Sequence, residues 1–187
     1  MAAHGLTGCD TVAKLHGIGK CTVINKLKDG FTFQYFGDLN SSEDDVIAEA
    51  TKFIGSCYGS KHVEDMSQLR VDLWSKKMGK KNITAAPHLK SLPPSSEAFR
   101  ENVLRAHVQI AVWKSAACPD PPAFEATEYG WSRDESTKTL RPITIPSNVA
   151  LAPPEVLELL RCGCSTGEPC SSQRWLQLGT LAVYFLL

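Results

Sequence analysis

The residues whose types and spacing could do chemistry stand near the two ends of this 187-residue chain. Close to the start, Gly17-Ile18-Gly19 is followed at once by Lys20 and then by Thr22. Glycines let a backbone come close to an anion, and a helix opening at Lys20 offers unpaired N–H groups and the positive end of its dipole. Gly17, Ile18, Gly19, Lys20 and Thr22 are therefore the candidate phosphate contacts. Asp10, a little upstream, supplies one carboxylate. Near the other end, Cys162, Cys164 and Cys170 could give thiolates to zinc, which suits close spacing in a reducing compartment better than disulfides do. A closed zinc site needs four ligands, and residues 171–178 add no cysteine. His107, the nearest histidine in sequence, reads as a core or boundary side chain of a helix. The zinc site reads as broken, and zinc is not an expected cofactor.

Charge and composition narrow the rest. Twenty basic residues balance twenty acidic ones, so any electrostatic attraction for nucleic acid must be local. Residues 1–28 provide it, with Lys14, Lys20, Lys26 and Lys28 against Asp10 alone. The start shows no secretory pattern, and the seven cysteines are an odd number, four of them widely scattered. Both point to an intracellular location, with the nucleus as the compartment a DNA role implies. The apolar ending LGTLAVYFLL is far shorter than the roughly 20 residues that span a bilayer, so no membrane partner is expected.

The elements that must position these residues are mostly helices. Two short helices, over residues 10–16 and 20–28, are predicted on either side of the Gly-x-Gly turn, the second turning Val23, Ile24 and Leu27 toward a core. The aromatic stretch 31–36 fits a strand or a packed loop. Serine caps, early acids and a stripe of Val46, Ile47, Ala50, Phe53, Ile54 and Tyr58 predict a helix closed by Gly59. Another is predicted over residues 63–78, with Lys76, Lys77, Lys80 and Lys81 at its end. The strongest pattern begins at Pro93-Pro94-Ser95-Ser96 and carries Phe99, Val103, Ala106, Ile110 and Trp113. Beyond it lies a proline-rich loop with one hairpin, Glu128-Tyr129-Gly130-Trp131 pairing with residues 140–143, then a short helix over 153–160. The expected fold is mainly α: a small helical bundle, a Pro-rich loop and hairpin, and a degenerate Cys-rich tail, divided as 1–117, 118–154 and 155–187.

Leu6, Gly8, Asp10, Gly17-Ile18-Gly19, Thr22-Val23 and Leu27 together resemble the helix-two-turn-helix of the flap endonuclease and 5'-nuclease (PIN-like) family, over about residues 5–28. That resemblance implies DNA-backbone contacts at Gly17, Ile18, Gly19, Lys20 and Thr22, with a potassium ion at the turn. It also places Asp10 where the family keeps the last of several magnesium-binding carboxylates. Two-metal hydrolysis needs several converging carboxylates, and those the family carries upstream are missing before Asp10. Asp10 is thus a vestigial catalytic candidate at most, and a helix N-cap on the plainer reading. A weaker resemblance spans the chain: HGLTGCDT, LPPSSEAFRENVLRAHVQ, EYGW and CGCSTGEPC are similar to the tail of mobile-element-linked animal proteins that end in a tesmin/TSO1-like cysteine-rich segment.

These readings converge on a non-catalytic, sequence-independent binder of duplex or branched DNA, the C-terminal part or remnant of a 5'-nuclease-like protein. The rival is a helical scaffold whose bundle docks a protein partner, in which the Gly-x-Gly turn merely reverses the chain. No nucleophile elbow, Walker loop or dinucleotide fingerprint supports other chemistry.

Overall fold

The long apolar stripes become the two central helices of the computed structural model, which describes residues 1–60, 62–78 and 91–146, all within the unit Met1–Pro146. The first, Glu43–Cys57, opens with Glu43, Asp44 and Asp45, where the helix dipole favours acids, and buries Val46, Ala50, Phe53 and Ile54. The second, Ser96–Lys114, is capped by the Ser95 hydroxyl, which accepts the Ala98 N–H at 3.4 Å, and buries Phe99, Val103, Ala106 and Ile110. Each such Val, Ile or Phe side chain contributes about 1.5–3 kcal/mol of burial. In chain order the helices are α1 (Ala2–Thr7), α2 (Lys20–Lys28), α3 (Glu43–Cys57), α4 (Met66–Met78) and α5 (Ser96–Lys114). With a single two-stranded sheet beside them, the described fold is mainly α.

The shorter helices lean on this pair. α1 lies on α5, with Leu6 fully buried and His4 stacked on Trp113 at 5.8 Å; α2 lies on α3. α4 meets α3 and α5 through Met66 and Leu69. The starts of α4 and α5 cap one another: the Ser67 N–H donates to Ser96 Oγ at 3.0 Å, and the Ser96 N–H donates to Ser67 Oγ at 2.9 Å. At the far end of α4, Lys77 donates to the carbonyl and hydroxyl of Ser91, while Lys80 and Lys81 lie outside the described residues.

Three details differ from expectation or resolve it. Residues 10–16 are not helical; the first helix is α1, and the Cys9 and Val12 backbones exchange hydrogen bonds at 3.1 and 3.3 Å across a tight turn. Val12 and Leu15 still reach the core, but from a loop, because two apolar residues three apart fit either conformation. α2 begins and ends where predicted but buries only Val23; Ile24 and Leu27 are 49% and 40% exposed, since the helix rests on α3 along one narrow side. The 31–36 stretch is a packed loop. Glu49 accepts the N–H groups of Gln34 and Tyr35, at 2.6 and 3.3 Å, and the Phe31 and Phe33 rings sit 4.9 and 4.8 Å from that of Phe53.

A hairpin forms, but its first arm lies further along than expected: Ala126–Glu128 make a 3-10 turn, and β1 (Trp131–Arg133) runs antiparallel to β2 (Leu140–Pro142), with Trp131 opposite Pro142. Arg105 of α5 clamps it: the buried guanidinium donates to the Gly130 and Ile143 carbonyls, each at 2.7 Å, and lies 5.9 Å over the Trp131 ring. Gly130 has φ 76°, and a Cβ there would stand 2.5 Å from the Glu101 carbonyl, so only glycine fits. The helix predicted at 153–160 and the cysteines at 162, 164 and 170 lie outside the described residues.

Hydrogen bonds to a charged donor are worth about 1.5–3 kcal/mol. Replacing Arg105 by Leu should therefore lower unfolding free energy by about 3 kcal/mol in a urea titration and expose residues 118–130 to limited proteolysis. A proteolytic pattern unchanged from wild type would show that the hairpin is held by other contacts.

Candidate nucleic-acid interface

The Gly17-Ile18-Gly19 corner is built from the inside out. Leu15 and Ile18 bury their side chains in the core, which fixes the chain on both sides of Gly17. Gly17 has φ 79°, the left-handed conformation that lets the chain reverse between those two anchors. Gly19 is the N-cap of α2 with ordinary extended backbone, φ −99° and ψ 165°, and has no side chain to cap the helix. A Cβ added at either glycine would meet nothing within 4 Å. The corner is thus rigid below and open above.

What it presents is set by helix geometry. The N–H groups of Gly19, Lys20, Cys21 and Thr22 have no carbonyl of their own helix to bond; the ladder starts with the Val23 N–H donating to Gly19 O at 3.2 Å. Lys20 is exposed and Thr22 half-buried, both in this first turn. Exposed Lys14 and His16 precede the corner and exposed Lys28 ends α2, whereas Lys26 pairs with Asp29 at 3.3 Å. Such a surface can hold an oxyanion through amides and lysines without any metal.

The proposed contacts do not all fare alike. Gly17, Gly19, Lys20 and Thr22 come together at the open corner. Ile18 serves it from below: its side chain is core, and its N–H donates to Leu15 O at 3.5 Å. Asp10 is exposed in the turn between Cys9 and Val12, so it caps no helix. Among the described residues, no three His, Cys, Asp or Glu side chains gather to hold a metal ion. The potassium ion implied at the turn would need several carbonyl oxygens, yet Leu15 O already accepts from Ile18 and His16 O from Tyr58.

Tyr58 is the residue that sequence patterning did not single out for this place. Its hydroxyl, at the C-terminal end of α3, donates to His16 O at 2.8 Å and ties the corner to the central helix. Burial pushes its pKa up to about 12, so it remains a donor throughout the neutral range. The one hint in the sequence is its type: a tyrosine ending an apolar stripe brings a hydroxyl to the rim of a core.

No helix of the described residues is long and apolar enough to cross a membrane. No family model, characterised protein or solved structure matches the chain.

Replacing Tyr58 by Phe removes one neutral hydrogen bond, about 1 kcal/mol. Exchange of the Ile18 amide, which bonds to Leu15 O, should quicken several-fold while α3 keeps its protection. Equal changes in both would mean that Tyr58 supports the core and not the corner.

Proposed function

We propose that this chain is a non-catalytic module that grips DNA by its phosphate backbone, without reading base sequence, as the C-terminal part or remnant of a 5'-nuclease-like protein. The observation that carries the reading is the open corner at Gly17–Gly19, anchored by Ile18 and Tyr58 and fronted by the unpaired first-turn amides of α2 beside Lys20. Amides and lysines bind phosphate oxygens, which are the same under every base, so they position a duplex but carry no sequence information. Lys14 and Lys28 extend the same basic region, and the absence of overall net charge keeps the attraction local. The partner on this reading is duplex or branched DNA, and the affinity for it falls with salt as counterions are released.

A second reading, a scaffold that docks a protein, draws on exposed apolar pairs one helical turn apart. Ile24 and Leu27 on α2 are one; Val71 and Trp74 on α4, 54% and 40% exposed, are the other. A contact through these side chains would not depend on Gly19 or Lys20.

Titration of labelled duplex and flap DNA at two salt concentrations separates the two. Lys20→Gln should lower the slope of log K against log salt by about 0.9, one phosphate contact on duplex DNA. Gly19→Asp should leave folding stability within a few tenths of a kcal/mol, because Asp caps a helix at least as well as Gly. Its carboxylate would nevertheless occupy the anion's place and abolish binding. DNA affinity indifferent to both substitutions would sink the phosphate-binding reading and leave the scaffold.

A further inference from the structure

His107 lies in the middle of α5 and is 4% exposed, yet its ring is bonded to chain far away in sequence. Nδ1 accepts the N–H of Gly37 at 3.2 Å, and Lys114, two turns further along α5, donates to the carbonyl of Phe36 at 2.6 Å. The Phe36 ring meets the imidazole edge-on at 5.9 Å, and Tyr129 stacks on it at 6.3 Å and 19°. One imidazole therefore joins α5 to the aromatic loop on one side and to the segment leading into the hairpin on the other. A cleft of about 230 Å³, lined by Leu39, Glu43, His107, Glu128 and Tyr129 among others, opens beside it.

An N–H can donate to Nδ1 only while that nitrogen keeps its lone pair, so the joint holds for the neutral ring with its proton on Nε2. We infer that His107 is a proton-operated latch: protonation at Nδ1 sets two donors face to face, breaks the bond to Gly37, and releases the loop around Phe36 and Gly37 from α5. Burial disfavours the charged ring most, and the charged groups around it adjust that preference. Asp38, from the loop, favours the imidazolium through its carboxylate and its backbone; Lys114, from α5 itself, opposes it. Glu43 at the head of α3, which is paired with Arg100, and Glu128 before the hairpin line the adjoining cleft, so among the described residues the one carboxylate there without an ion pair is that of Glu128.

Burial holds the imidazole pKa below its ordinary 6.5 in the closed form. The closed form thus binds fewer protons than the open one, which fixes the sign. The latch is shut above about pH 6.5; as pH falls below that value, the closing equilibrium weakens by up to tenfold per pH unit until the pKa of the closed form is passed.

Amide exchange and ¹H–¹⁵N spectra of the full chain between pH 7.5 and 5 test this, with exchange corrected for its intrinsic pH dependence. Protection of Gly37 and its loop neighbours should fall by up to tenfold per pH unit below about 6.5, while the amides of α3 and of the α5 core keep theirs. In His107→Asn, whose side chain does not titrate, loop protection should be independent of pH, whether the carboxamide oxygen replaces Nδ1 or leaves the loop open throughout. Asp38→Asn, at the surface, should move the wild-type midpoint to lower pH. The same acid-dependent opening in His107→Asn, or a wild-type ring that titrates while Gly37 stays protected, would overturn the latch.

Discussion

Everything in the described fold depends on one constraint: α5 is buried on nearly all sides between Phe99 and Ala111, although much of it is polar. A helix apolar all round could simply be packed over. This one places Glu101, Asn102, Arg105 and His107 in the interior, and buried polar groups must find partners. Its apolar stripe takes α1, α3 and α4. Its polar side takes irregular chain, because loops have spare backbone N–H and C=O groups that helices do not. Arg105 satisfies two hairpin carbonyls, His107 and Lys114 satisfy the Phe36-Gly37 backbone, and Glu101 pairs with Arg100 at 3.1 Å. Asn102 is the exception, with both side-chain polar atoms buried and unbonded among the described residues.

The same logic passes from α5 through α3 to the corner at the N-terminus. α3 spends its apolar face on α5 and on the phenylalanines of the 31–36 loop, and its last turn carries Tyr58 to the carbonyl of His16. The corner is therefore held by two side chains beneath it and one hydroxyl beside it. That leaves α2 with little to bury: Val23 alone goes under, and Ile24 and Leu27 stay in solvent. An amphipathic helix this lightly seated owes its place to its neighbours more than to its own packing.

What was legible in the sequence follows from the range of the interactions. α3 and α5 were readable because their stripes run over several turns behind a serine N-cap position, although only Ser95 makes its capping bond, so local preference and tertiary packing agree. The hairpin was readable in outline only, because Ser132 and Arg133 look like turn residues yet pair in β1. The segment from Cys9 to Leu15 was not, because Val12 and Leu15 are a single helical spacing with no repeat, and tertiary burial decided for a turn. Nor were the roles of Arg105, His107 and Tyr58: each bonds backbone at least 25 residues away, and no local pattern encodes which carbonyl or amide arrives there.

The candidate site divides along the same line. The position of the corner and the start of α2 at Lys20 are local facts, set by Gly17 and by the helix signal that follows. Its chemistry is not local, because an amide is available to an anion only if the surrounding fold leaves it uncovered and holds it still. Gly17 and Gly19, which look alike in the sequence, separate on this test. Gly17 is needed for the left-handed turn, whereas the conformation of Gly19 suits any residue, so the gain from a glycine there is the open space over the first amides of α2. Folding alone would be served as well by Ser, Asn or Asp at that N-cap, each of which would close the space with its own side chain. A bare N-cap on an exposed, lysine-flanked corner leaves those donors to be met from solution, which is the property a phosphate grip requires.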